Sequence, residues 1–139
     1  MIKNVDNELT EKIIGAFFVV YNKLGFGYLE KVYANALKIE LQKVGLKVEA
    51  QKPIQVFYDG IVVGEYFVDL YVNDKVIIEL KSAASLCTEH EAQLFNYLKA
   101  TNKEIGLLLN FGPKANFKRK LWTPGHQNLC ESVSSVESV

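Results

Sequence analysis

A chain of 139 residues is one domain in length, which leaves no room for separate binding and catalytic modules. With 49% apolar and 23% charged residues, 9 Gly and 3 Pro, the composition excludes a disordered, collagen-like or low-complexity chain. Lys plus Arg and Asp plus Glu each total 16, so net charge neither marks a nucleic-acid binder nor excludes one with a locally basic groove.

The polar start from Met1 to Lys12 does not have the form of a secretory signal. The longest apolar run, Ile13 to Tyr21, is about half a membrane span, so a cytoplasmic protein with no membrane partner is expected. Thr10 reads as a helix cap, and Ile13, Ile14, Phe17, Phe18, Tyr21 and Leu24 follow at the spacing of one buried helical face. Gly25 and Gly27 end that helix. A second runs from Tyr28 to about Val44, its stripe formed by Leu29, Val32, Tyr33, Ala36, Leu37, Leu41 and Val44, with Gly45 as C-cap.

From Leu46 to Leu80 the residues turn β-branched and aromatic, punctuated at Pro53, Asp59-Gly60 and Asn73-Asp74-Lys75, which predicts a meander of about four strands. Thr88 to Thr101 returns to helical spacing, and Ile105 to Phe111 is a short apolar run suited to a buried strand. The expected order is ααββββαβ. Residues 1–123 then form one domain and 124–139 a flexible C-terminal tail. Cys87 and Cys130 are too few and too far apart for a disulfide scaffold or cysteine zinc site, and read as reduced thiols.

The chemistry concentrates in Val76-Ile77-Ile78-Glu79-Leu80-Lys81, where the strand period of two puts Glu79 and Lys81 on one face of a strand apolar enough to be central. Charges buried there must compensate each other, reach the sheet's end or bind something ionic. The preceding strand repeats the anomaly with Asp69. A three-residue Asn73-Asp74-Lys75 loop makes Val72 face Val76 and Asp69 fall opposite Glu79. A two-residue turn would instead send the two carboxylates to opposite faces. Side by side, they need a proton, a cation or a metal between them, and an all-oxygen site suits Mg2+ or Mn2+ better than zinc. Two readings stay open from pattern alone: a catalytic centre, with the Lys81 ammonium near an attacking water, and a structural salt-bridge cluster.

Asp69, followed after nine residues by Glu79-Leu80-Lys81, resembles the D...E-x-K signature of the PD-(D/E)XK nuclease superfamily. Gly27-Tyr28-Leu29-Glu30-Lys31-Val32-Tyr33 is similar to the motif that names its GxxExxY family, and Gln93 with Tyr97 resembles the Q-x-x-x-Y motif of the RecB-like exonuclease branch. The resemblance covers roughly residues 10 to 122. It implies an α/β restriction-endonuclease-like core, a mixed central sheet flanked by helices, and metal-dependent hydrolysis of nucleic acid, DNA rather than RNA. In that reading Asp69, Glu79 and the Leu80 carbonyl hold Mg2+ or Mn2+, Glu30 completes the metal shell, Lys81 assists the water, and Gln93 and Tyr97 orient the site or hold phosphate. A homodimer fits so small a domain acting on two strands. The alternative function is a nucleic-acid-binding or regulatory module that keeps the fold and performs no chemistry.

Several of these residues also have plain structural readings. Glu30 and Glu40 both lie near the apolar stripe of their helix, Gly27 starts a helix, and Tyr33 packs with its hydroxyl tied down. Gln93 and Tyr97 would also suit the polar edge of an amphipathic helix, and His90 reads as a surface residue. Lys114 to Trp122 interleaves four cations with aromatics and no acid. That pattern suits either a phosphate-gripping segment, with Phe117 or Trp122 stacked on bases, or a solvated charge run.

Overall fold

The computed structural model describes residues 7–123 and 131–136. Among the described residues, three helices and six strands follow in the order α1 (Asn7–Leu24), α2 (Glu30–Lys43), β1 (Val48–Tyr58), β2 (Ile61–Val72), β3 (Val76–Lys81), α3 (Thr88–Thr101), β4 (Ile105–Phe111), β5 (Ala115–Leu121) and β6 (Glu131–Val136). The strands form one sheet in sequence order. Only β3 and β4 pair in parallel; every other neighbouring pair is antiparallel. A parallel pair cannot be closed by a tight turn, and α3 supplies the crossover.

The sheet is covered on both faces, which is why its central strands, β3 and β4, are mostly apolar. In β3, Val76, Ile78 and Leu80 pack with Phe17, Tyr33, Leu37 and Leu41 of α1 and α2. Ile77 faces the other way, with Leu94, Tyr97 and Leu98 of α3. All seven residues of β4 are buried, as a strand covered on both sides requires.

Several expectations need correction. Thr10 lies inside α1, which already includes Asn7, and so is not its cap; its hydroxyl donates to the Asn7 carbonyl at 3.0 Å. The buried face of α2 is narrower than its pattern: Tyr33, Leu37 and Leu41 are buried, while Leu29, Val32 and Val44 are exposed. The meander has three strands rather than four, because β1 runs unbroken through Pro53. It does so as the outer strand of the sheet, where a missing N–H can face solvent.

The basic stretch is strand β5, inserted between β4 and β6. Its Phe117 and the following Trp122 are buried in the two cores and do not offer free faces to bases. Lys118 and Lys120 pair with Glu91 of α3 at 3.3 and 2.9 Å. The interval expected to be a flexible tail contains β6, paired with β5; residues 124–130 and 137–139, Cys130 and His126 among that interval's residues, lie outside those described or have no described side chain.

Just past β4, a Cβ on Gly112 would lie 2.0 Å from the Ala83 carbonyl oxygen, a contact no side chain can occupy. Gly112→Ala is therefore expected to cost about 2–4 kcal/mol in urea unfolding, the scale of overpacking against backbone. Gly64→Ala, whose Cβ would meet only the Tyr66 side chain at 3.4 Å, should change stability by less than about 0.5 kcal/mol.

Candidate active site

The position of the site is set by a hairpin loop. Asn73 and Asp74 adopt positive φ, 52° and 56°, a conformation that Asn and Asp tolerate better than most residues. The Lys75 N–H donates to the Val72 carbonyl at 2.9 Å. This is the three-residue loop: Val72 pairs with Val76, Tyr71 with Ile77 and Leu70 with Ile78. The next pair in that register is Asp69 and Glu79.

At that pair the regular ladder stops and the carboxylates take its place. The Asp69 N–H donates to Glu79 Oε2 at 3.0 Å, and the Leu80 N–H donates to Asp69 Oδ2 at 2.8 Å. Each acid thus caps the backbone of the opposite strand. The bonds satisfy two N–H groups that the parting of β2 from β3 would leave unpaired, and they commit one oxygen of each carboxylate. In an antiparallel pair the N–H and C=O of one residue point the same way, so the Leu80 carbonyl also faces the β2 side.

The parting has a counterpart in β1. Gln51 has φ 53°, a left-handed conformation rare within a strand. Ala50 pairs with Leu70 and Lys52 with Val68, which leaves Gln51 opposite Asp69 at an interruption of regular pairing. Beyond it the arm changes face: Val48 and Leu70 belong to the core under α1 and α2, whereas Ile54 and Val68 pack with α3. The Gln51 side chain hydrogen-bonds to the Asp69 carboxylate and offsets a little of the rise that burial imposes on its pKa.

Electrostatically the pair is under tension. Glu79 is only 7% exposed; burial, then the Asp69 charge, pushes its pKa up to about 8. Burial also raises Asp69, with Glu30 adding repulsion and the Leu80 N–H and Lys81 opposing it. Lys81, the half-buried last residue of β3, acts on both acids. Tyr97, buried on α3, is pushed up to about 12 by burial and by the charges of Glu79, Tyr66 and Asp69. Its hydroxyl therefore stays protonated, a neutral donor beside the acids.

Glu30 reaches this region from the other side of the sheet. In the turn between α1 and α2, Gly27 has φ 121°, which only glycine adopts readily. The fully buried Tyr33 ring stacks on Phe111 with centroids 4.3 Å apart. Its hydroxyl donates to the Gly25 carbonyl and accepts the Tyr28 N–H. The turn so fixed puts Glu30 at the start of α2, where Oε2 accepts the Ser82 N–H at 3.2 Å, one residue beyond Lys81. The plain readings of Gly27 and Tyr33 and the site placement of Glu30 are thus parts of one device. Glu40, by contrast, pairs with Lys23 and Lys43.

Gln93 lies one turn before Tyr97, is exposed, and lines a groove with Tyr66. His90 serves its helix: Nδ1 accepts the Cys87 N–H at 3.3 Å at the start of α3. Among the described residues no three His, Cys, Asp or Glu side chains converge closely enough to hold a metal by themselves. The donors that do fit a hard ion are Asp69, Glu79 and the Leu80 carbonyl, an all-oxygen set that leaves positions for water, as Mg2+ requires.

Sequence reasoning missed Gln51 and Asn110. Asn110 is fully buried, and its amide donates to and accepts from the Ala83 backbone, both at 2.9 Å. With Glu30 on Ser82, it fixes the chain directly after Lys81. The visible signal was one amide inside the apolar run Ile105–Phe111; nothing local marked Gln51.

The three-layer α/β fold, with acids where one strand leaves a mixed sheet, is of the restriction-endonuclease-like class. A family model of the PD-(D/E)XK nuclease superfamily matches residues 7–120, and the chain belongs to that superfamily. No curated protein matches it. Among solved structures it is similar to one described as "Crystal structure of SSO0001", with TM-score 0.48 and 19% identity over 96% of this chain and 61% of that one. The chain thus spans about three fifths of that structure's length.

The raised Glu79 pKa fixes a pH dependence. Between its ordinary 4.5 and about 8, the native protein holds a proton that the unfolded chain has lost. With chelator present, stability should be greatest below pH 4.5 with respect to this group and fall as pH rises through 8, by at most about 1.4 kcal/mol per unit. Denaturant titrations across this range should show a flatter profile for Glu79→Gln.

Proposed function

We propose that the chain is a metal-dependent nuclease of the GxxExxY family, close to the RecB-like branch, with DNA favoured over RNA. The observation that carries the reading is the interlocked pair of acids, buried, mutually repelling and opening toward the same gap as the Leu80 carbonyl. Asp69, Glu79 and Leu80 would hold Mg2+ or Mn2+, with Glu30 adjusting the site from the Ser82 side. Such an ion, when bound, neutralises charge on a phosphodiester and supplies a hydroxide nucleophile near neutral pH.

The remaining roles belong to the chain itself. Asp69 and Glu79 hold each other's geometry through the opposite backbones, so the gap is preorganised. Lys81 directly precedes two clamped residues, Ser82 held by Glu30 and Ala83 held by Asn110, and its ammonium would orient an attacking water and balance its charge. Tyr97 remains a neutral hydrogen-bond donor for a phosphate oxygen. Gln93, one turn away, would orient the strand on α3.

The test is cleavage of single- and double-stranded DNA and RNA with Mg2+, Mn2+ or chelator. Activity should require the ion, and folded Asp69→Ala and Lys81→Ala variants should lose about 100- to 1,000-fold, the scale of single preorganised electrostatic groups. Equal activity in parent and variants would assign cleavage to a contaminant. Metal-independent binding without cleavage would make the chain a nucleic-acid-binding module. Titration with Mn2+ should show binding that Asp69→Ala abolishes and that strengthens as pH rises toward 8, because the ion must displace the Glu79 proton.

A further inference from the structure

Beside Tyr97, a cavity of about 730 Å3 lies between the β1–β2 arm and α3. Its walls combine aromatic side chains, Phe57, Tyr66 and Tyr97, with the amides of Gln93 and Asn96 and the cation of Lys99. Phe57 and Tyr66 are 58% and 45% exposed, and the Tyr66 and Tyr97 rings stand 5.5 Å apart. Glu89, in the first turn of α3, also lines it.

This chemistry selects a flat aromatic ligand with a polar edge and an attached anion. Exposed rings gain by covering their faces, and a base stacked on them supplies that cover whatever its sequence. Amides offer both donor and acceptor to a heterocycle's edge, and an ammonium suits a phosphate. A nucleobase meets all three demands. A duplex does not, since its base faces are already covered by their neighbours. Tyr97 is shared between the two: it lines this cavity and lies within electrostatic reach of Glu79 and Asp69, so a strand whose base is seated here would be carried toward the acids.

We propose that the cavity between the β1–β2 arm and α3 is a subsite for an unpaired nucleobase, so that the strand presented to the acids is single-stranded. The inference rests on the nuclease reading for its purpose, but not for its measurement. Phe57 lies beside the hairpin tip, and Tyr66 is exposed on the same arm, so their truncation should leave the fold intact, which thermal unfolding checks.

The experiment measures anisotropy of a fluorescent dT12 oligonucleotide and of a blunt duplex of equal length, with chelator present to prevent cleavage. The parent should favour dT12, and Phe57→Ala and Tyr66→Ala should each weaken that binding about tenfold while leaving duplex binding unchanged. Equal binding of dT12 by parent and variants overturns the subsite. So does a preference for duplex, or a concentration-dependent dimer that Phe57→Ala dissolves without changing dT12 affinity. Absence of any Asp69-dependent cleavage by the parent would sink the nuclease reading alone; duplex cleavage indifferent to Phe57 would sink the subsite alone.

Discussion

The structure depends on the point where β2 leaves β3. A sheet that stayed paired there would bury Asp69 and Glu79 face to face, with backbone bonds made and two charges unsatisfied. A sheet that parted freely would strand two N–H groups. The chain resolves both by letting each carboxylate accept from the opposite backbone, so that the opening is held by the acids that occupy it. Stability and the proposed chemistry therefore meet at the same atoms, and the raised Glu79 pKa records first its burial and then the nearness of the Asp69 charge.

The other elements make that opening permanent. The left-handed Gln51 lets β1 turn with β2, so the arm swings across α3 instead of continuing the sheet. Tyr33 locks the helical turn that presents Glu30, and Asn110 grips the strand's exit. These contacts come from α2, β1 and β4, far apart in sequence. The preorganisation that the proposed chemistry needs is thus distributed through the core.

Much of this was legible in the residues. The period-two strand VIIELK, the acid in the strand before it and the loop length between them fix which groups meet, because register follows from loop length. What was not legible depended on tertiary position. Whether Pro53 breaks a strand turns on whether that strand lies at an edge, which no local pattern reveals. The cations of β5 read as exposed because Glu91, their partner, lies on another element. Gln51 carries no sign of its backbone conformation, and the polar Asn110 in an apolar run was a signal without an address.

The outer position of Pro53 has one further consequence. A rim strand with open donors and acceptors invites a neighbouring molecule to extend the sheet, and this rim is long and aromatic toward its tip. An imino acid near its middle interrupts the row of donors and so discourages templated growth. The protein can then display a greasy, protruding ribbon without making it a seed for fibrils.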